Sequence, residues 1–297
     1  MKYQFYTCDV FTDTRFGGNP LAVLPNAEGL TDQQMQQVAR EFNYSETTFV
    51  LPGEKGYAGN IRIFTPATEV PFAGHPNIGT AFVLANSGAL GNIDTEINII
   101  FEEKAGLVPV RIGKKDDNFW CELKAPEDLS IGKTISIDLV ASALSLSSED
   151  IVTNNHQPQV ASVGFPFIMA ELKTRDALES IRINLNVFED IYNKGVMPDI
   201  HVYTISNDEF DIRSRMFGPM DGVPEDPATG SANCALAAML THYKAEADGE
   251  FNWHITQGVE MNRPSVLDAR TVKKAGNVTG VWIAGNCVMV SEGYIEI

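Results

Sequence analysis

The chain has 297 residues, is 44% hydrophobic and 21% charged, and carries a formal net charge of −17. That length suits two domains of about 150 residues better than one core. So acidic a chain repels nucleic-acid phosphates and anionic lipid surfaces, which argues against nucleic-acid and membrane partners. A small anionic ligand stays possible, because helix N-termini can hold a carboxylate inside an acidic protein.

The chain opens on an alternating strand, Met1 to Val10, without the long apolar core of a signal peptide. Nowhere is there a run of about 18 apolar residues, so a cytoplasmic protein is expected. Phe16-Gly17-Gly18-Asn19-Pro20 reads as a turn before a short strand at Leu21–Leu24. Thr31-Asp32-Gln33-Gln34 has the form of a capping box. Met35, Val38, Ala39 and Phe42 then fall on one helical face, with Asn43 as a left-handed stop. Strands are expected at Thr47–Leu51 and Ile61–Thr65. From Asn77 to Ala85 almost no polar face remains, so that helix must be buried on all sides. Gly88 ends it, and strands at Ile97–Phe101, Leu107–Ile112 and Phe119–Leu123 complete the first half.

Ala125-Pro126-Glu127-Asp128 reads as a linker, after which the plan recurs. Strands are expected at Val160–Val163, Phe167–Leu172, His201–Ile205 and Ile212–Phe217, with an amphipathic helix at Val187–Tyr192. Ser231 to Tyr243 is a second all-apolar helix, followed by strands at Phe251–Thr256, Val281–Ala284 and Val288–Ser291. The four cysteines, Cys8, Cys121, Cys234 and Cys287, have no paired spacing and read as reduced, buried thiols.

Two stretches resemble each other. Residues 62–81 hold Arg62-Ile63-Phe64-Thr65-Pro66, then Gly74-His75-Pro76-Asn77 and an apolar run. Residues 215–237 hold Arg215-Met216-Phe217-Gly218-Pro219, then Gly230-Ser231-Ala232-Asn233 and another apolar run. The expected fold is therefore α+β: two pseudo-symmetric domains, each a curved, mostly antiparallel sheet or barrel around a central buried helix. Residues 1–125 form the first domain and 126–285 the second, with a last strand near 286–297 crossing back to the first. If the halves face each other, both helix N-termini point into one cleft that would cradle a carboxylate.

Gly74 and Gly230 either admit a ligand to the helix N–H groups or simply turn strand into helix. A positive dipole end favours neutral imidazole at His75, which suits a hydrogen-bond donor or proton shuttle as well as a capping histidine. The other histidines have no ligand-like spacing, so no metal site is expected. Glu46, between a helix stop and a strand, and Asp226, just before the second apolar helix, could be bases of raised pKa. Spacing alone does not separate them from the 39 acidic residues.

Five ordered segments then carry a resemblance. They are Asp9-Val10-Phe11-Thr12 with Gly18-Asn19-Pro20, Ser45-Glu46-Thr47-Thr48-Phe49, Pro71-Phe72-Ala73-Gly74-His75-Pro76, Glu225-Asp226-Pro227-Ala228-Thr229-Gly230-Ser231-Ala232, and Gln257 through Ser265. In these the chain resembles the PhzF-like family, named for the phenazine-biosynthesis isomerase and related to the diaminopimelate epimerase fold. The resemblance implies a homodimer that needs neither metal nor cofactor and acts on a small carboxylic acid. It implies Glu46 as the acid/base that moves a carbon-bound proton, with His75 and Asp226 assisting. Gly74, Gly230 and Ser231 would hold the substrate. Epimerases and proline racemases of the superfamily place a cysteine at the head of each buried helix. Here Phe72-Ala73 and Asp226-Pro227 stand there, and Cys234 lies about one turn inside, so a two-thiol epimerase is disfavoured. The leading expectation is a double-bond isomerase; an epimerase or racemase, or a non-catalytic metabolite-binding protein, are the alternatives.

Overall fold

A computed structural model describes residues 1–54, 56–115, 118–195 and 199–297. They divide into two units, Met1–Lys124 with Ala284–Ile297, and Ala125–Ile283. The first unit runs β1 (Lys2–Val10), β2 (Asn19–Leu24), α1 (Asp32–Phe42), β3 (Glu46–Leu51), β4 (Gly59–Phe64), β5 (Glu69–Val70), α2 (Gly74–Asn86), β6 (Glu96–Glu103), β7 (Gly106–Lys115) and β8 (Asn118–Lys124). The second holds β9 (Ser130–Thr134), α3 (Ile137–Leu144), β10 (Ile151–Val152), β11 (Gln159–Ser162), β12 (Pro166–Leu172), α4 (Arg175–Ser180), α5 (Leu185–Asn193), β13 (Ile200–Ile205), β14 (Ile212–Gly218), β15 (Val223–Asp226), α6 (Gly230–Tyr243), β16 (Gly249–Gln257) and β17 (Ser265–Lys274). Strand β18 (Asn277–Glu296) starts in the second unit and ends in the first, where it pairs antiparallel with β1 from Lys2↔Glu296 to Val10↔Cys287.

The sheets are mixed, and the order of pairings recurs. In the first unit β2 runs parallel to β3, β3–β4–β5 are antiparallel, β4 runs parallel to β6, and β6–β7 are antiparallel. In the second, β12 runs parallel to β13, β13–β14–β15 are antiparallel, β14 runs parallel to β16, and β16–β17 are antiparallel. An apolar helix follows the short third strand of each set. Each of these helices is enclosed within its own unit: α2 packs on β1, β2, β3, β7 and β8, and α6 on β11, β12, β16 and β17. Every residue of α2 from Gly74 to Ala85 is buried, and so is α6 from Ala232 to Thr241.

The duplicated Arg-x-Phe motif forms the same clamp twice. Arg62 Nε and Nη2 donate to the two Glu69 oxygens at 2.8 and 2.7 Å, with the guanidinium 5.2 Å from the Phe64 ring centre. Arg215 Nε and Nη2 donate to the Glu225 oxygens at 2.7 and 2.8 Å, with the guanidinium 5.0 Å from the Phe217 ring centre. A planar bidentate pair with a stacked aromatic fixes geometry as well as charge. Each clamp ties the strand before the loop to the short strand that delivers the apolar helix.

Helix α1 forms as its sequence dictates, with the Thr31–Gln34 capping box and a left-handed Asn43 at φ 54°. The chain departs from expectation at several places, among them the unexpected short elements β5, α4 and β15. Residues 130–152, where no element was expected, hold β9, α3 and β10. Strand β17 was not expected, because its inward positions include Ser265, Thr271 and Lys273, which break the apolar alternation although all are buried. The two short strands expected at 281–284 and 288–291 are one continuous strand, for Gly285-Asn286 does not break it.

Gly79 lies where α2 crosses β1 and β2: a methyl group there would sit 2.5 Å from Leu21 Cδ2 and 2.7 Å from Val10 Cγ2. Glycine inside a helix normally costs about 0.5–1 kcal/mol relative to alanine, but overpacking costs about 1–3 kcal/mol. Gly79→Ala is therefore expected to destabilise, lowering the urea midpoint with an unchanged m-value.

Candidate active site

The first constellation is built by the entry of three elements into one corner of the first unit. Asn19 closes the β1–β2 ladder opposite Val10, and Glu46 opens β3 opposite Leu21. His75 is the second residue of α2. Ser45 Oγ donates to Asn19 Oδ1 at 2.9 Å, which turns the Asn19 amide nitrogen towards His75 Nδ1 at 3.3 Å. An amide N–H only donates, so Nδ1 is the acceptor and the proton of the neutral ring sits on Nε2. That nitrogen lies 3.5 Å from Glu46 Oε2. His75 is buried and Glu46 partly exposed, its side chain 19% accessible against 5%. Burial lowers the His75 pKa to about 3, so the ring is neutral near pH 7. The direction matches the expectation from the helix dipole, but the cause is desolvation.

The head of α2 carries no side-chain cap. Its N-cap, Ala73, is extended at φ −153°, and the first turn holds no acidic residue. Asn77 Nδ2 donates back to Ala73 O at 3.0 Å and fixes the first turn from within.

The second constellation has the same frame and different chemistry. Helix α6 also lacks a side-chain cap and acidic residues in its first turn, and Asn233 Nδ2 donates to Thr229 O at 3.0 Å, as Asn77 does in α2. Gln257, from β16, locks this helix head in place. Its Oε1 accepts from Thr229 N at 3.2 Å and Asn233 Nδ2 at 2.7 Å, while Nε2 donates to Asp226 O at 2.7 Å and Thr229 Oγ1 at 3.0 Å. Asp226 ends β15, opposite Met216, and its Oδ2 accepts from Thr229 Oγ1 at 2.5 Å. Asp226 and Gly230 are buried and Ser231 is half-buried. Cys234 is buried, its thiol pushed up to about 12 by desolvation, which disables it as a base. No group of three or more His, Cys, Asp or Glu among the described residues has metal-binding geometry.

Of the site residues read from sequence, the structure therefore brings Glu46 and His75 together in one unit. It sets Asp226, Gly230 and Ser231 around one helix head in the other. Asn19, Ser45, Thr229 and Gln257 stood in recognisable segments without assigned roles; their signal was motif membership. Glu103 gave no signal at all. The β6–β7 turn folds onto the loop before α2, with Ala105 N donating to Pro71 O at 3.2 Å. That burial raises the Glu103 carboxyl to about 8, opposed weakly by Asn77.

A family model described as "Phenazine biosynthesis-like protein" matches residues 8–293. The chain belongs to this family. Curated relatives of this PhzF family member are isomerases. An uncharacterized isomerase of Mesorhizobium japonicum is 35% identical, over 100% of this chain and 99% of its own. The trans-2,3-dihydro-3-hydroxyanthranilate isomerase of Pseudomonas chlororaphis is 33% identical, over 99% of this chain and 100% of its own. A crystal structure of a PhzF-family phenazine biosynthesis protein from Bacillus anthracis superposes with a TM-score of 0.90 at 25% identity, over 100% of both chains. The protein is thus an enzyme of the isomerase class. It shares its fold with a hydroxyproline epimerase of Agrobacterium vitis, at a TM-score of 0.67 and 14% identity. None of its described helices is long and apolar enough to cross a membrane.

Two pH predictions follow from these environments. The His75 ring is expected to show no NMR titration between pH 5 and pH 8, since its folded pKa is about 3. A Glu103 carboxyl held near 8 against an ordinary 4.5 stabilises the fold below about pH 4.5 and loses that contribution as pH rises through 8. Glu103→Gln should therefore gain stability relative to the parent between pH 5 and pH 9, on the order of 4 kcal/mol by urea denaturation.

Proposed function

We propose that the protein isomerises a small cyclic, unsaturated carboxylic acid by moving a carbon-bound proton, and so a double bond. The reaction would resemble that of its relative, trans-2,3-dihydro-3-hydroxyanthranilate isomerase. The observation that carries the reading is the Glu46–His75–Asn19–Ser45 chain. It aims a neutral donor at the carboxyl group that would act as base. Glu46 takes the proton from the substrate carbon, the electron pair moves into the shifted double bond, and the proton is returned at another carbon of the same molecule. Atoms and charge balance without any co-reactant, so acid/base groups suffice and no cofactor or metal is called for.

In this reading a neutral His75 has a definite use. As an Nε2–H donor it stabilises Glu46 in its charged form without itself gaining a proton. Asp226, held by Thr229 and Gln257, assists the transfer or positions the substrate. The backbone N–H groups at Gly74 and Gly230, with the Ser231 hydroxyl, hold the carboxylate, for which uncapped helix heads are suited. The pseudo-symmetric two-domain frame, a homodimer and a cytoplasmic setting complete the reading. Sedimentation of the purified protein tests the dimer.

Epimerisation is the second reading, favoured by a solved Pseudomonas aeruginosa structure described as a predicted epimerase, 30% identical with a TM-score of 0.81. It would need a base on each face of one stereocentre, with Glu46 and Asp226 in place of thiols. Incubating chiral candidate acids in deuterated water separates the two: isomerisation gives label with a moved double bond, epimerisation gives label with inversion. With trans-2,3-dihydro-3-hydroxyanthranilate as substrate, Glu46→Gln is expected to lower turnover and deuterium incorporation together by at least about 10²–10⁴-fold. Its thermal unfolding should stay close to that of the parent. Undiminished exchange in a folded Glu46→Gln variant overturns the assignment.

A further inference from the structure

The two units match strand for strand, and the match pairs Glu103 with Gln257. Arg62 and Arg215 open the duplicated clamps, so Ile61 corresponds to Ser214. The ladders agree, for Ile61 lies opposite Val50 and Ser214 opposite Tyr203. In the parallel ladders, Gly59↔Phe101 and Asn60↔Glu102 correspond to Ile212↔Ile255 and Arg213↔Thr256. One step further Ser214 meets Gln257, and the same step in the first unit brings Ile61 to Glu103. The turns that follow agree as well: Ala105 N donates to Pro71 O at 3.2 Å, and Ser265 Oγ donates to Pro227 O at 2.8 Å. Each turn thus grips the proline carbonyl on the approach to its apolar helix. Gln257 pins the head of α6 through Asn233, whose counterpart in α2 is Asn77. Asn77 is the polar side chain that faces the Glu103 carboxyl.

Gln257 can do this because an amide both donates and accepts. A carboxylate only accepts, whereas a protonated carboxyl has one donor and one acceptor. The first unit is short of a donor. As a carboxylate, neither buried Glu103 oxygen receives a hydrogen bond of good geometry, and Oδ1 of the fully buried Asn77 receives none either. Asn233 Oδ1 instead accepts from Ser214 Oγ at 3.4 Å, a hydroxyl that Ile61 cannot offer to Asn77. Bare buried acceptors are costly, and the proton of a neutral Glu103 is the donor at hand. We propose that Glu103, in its protonated form, is a positioning residue that pins the head of α2 through Asn77, as Gln257 pins the head of α6 through Asn233. Burial raises its carboxyl to about 8, which keeps that proton in place at neutral pH. The charged groups around it are engaged elsewhere. Glu102 Oε2 accepts from Glu54 N at 2.6 Å, and Lys104 pairs with Glu69, which Arg62 also holds. The first turn of α2 adds only the neutral His75. Asn77 in turn holds Ala73 O, and the same turn carries His75, 3.5 Å from Glu46. The inference rests on the functional reading above and adds a group that acts on Glu46 and His75 through α2 alone. Once Glu103 ionises the donor is lost and the head of α2 loosens.

The test follows the intact parent and Glu103→Gln from pH 6 to pH 10. Carbon NMR reads the Glu103 carboxyl, and nitrogen NMR reads the Asn77 side-chain amide. In the parent both signals are expected to move with one midpoint near pH 8. In Glu103→Gln, which keeps a donor and an acceptor, the Asn77 amide should stay still across the range. Turnover of trans-2,3-dihydro-3-hydroxyanthranilate by the parent should fall about tenfold from pH 7 to pH 9 with KM unchanged, as one proton leaves near pH 8. Glu103→Gln should hold its turnover over the same interval. An Asn77 amide that ignores the Glu103 titration, or that still moves near pH 8 in Glu103→Gln, overturns the proposal. So does a turnover that falls equally in both proteins. The resonances do not depend on catalysis: joint movement in a protein that leaves the acid unchanged sinks the isomerase reading and leaves the pinning of α2 standing.

Discussion

A helix without a polar face has to be enclosed on every side, and its first-turn N–H groups then face the protein rather than water. Helices α2 and α6 impose this constraint on their units. Strands must surround each of them, and the strand that feeds each helix must end in a defined place. The Arg62–Glu69 and Arg215–Glu225 clamps meet the second demand by tying the feeding strand to the strand before the loop. Asn77 and Asn233 meet it from inside, each donating to the carbonyl of its own N-cap residue. Neither helix head is capped by a side chain, so both keep the electrostatic character that attracts anions.

On this duplicated frame the chemistry is unequal. At the head of α2 a histidine is kept neutral by burial and its tautomer is set by Asn19, so the face it turns to Glu46 is a donor. At the head of α6 a serine takes the corresponding place, and an aspartate is held through Thr229 and Gln257. The buried thiol of α6 stays protonated at neutral pH and so cannot serve as a proton acceptor. Two helix heads built alike thus carry different acid/base groups, and directional proton transfer is the reaction proposed for them. A symmetric pair of bases would suit inversion.

Local signals in the chain were strong where one residue type decides the structure. The Thr31–Gln34 capping box, the Asn43 stop, the two all-apolar helices and the repeated Arg-x-Phe motif could all be read directly. They failed where a partner distant in sequence decides. Strand β17 turns Thr271 and Lys273 inward, the first to Thr241 Oγ1 and the second to the last carbonyls of α6, so its alternation is not apolar. Glu103 and Gln257 are of the same kind: one owes its raised pKa and the other its role only to a turn or helix head far along the chain.

Sequence by itself determined the buried helices and the duplicated strand–loop–helix unit, because periodicity and glycine or proline placement act over a few residues. Tertiary structure alone decided which nitrogen of His75 carries the proton and that Gln257 pins the head of α6. Those outcomes depend on distances of about 3 Å between groups tens of residues apart, and no local pattern encodes such a distance.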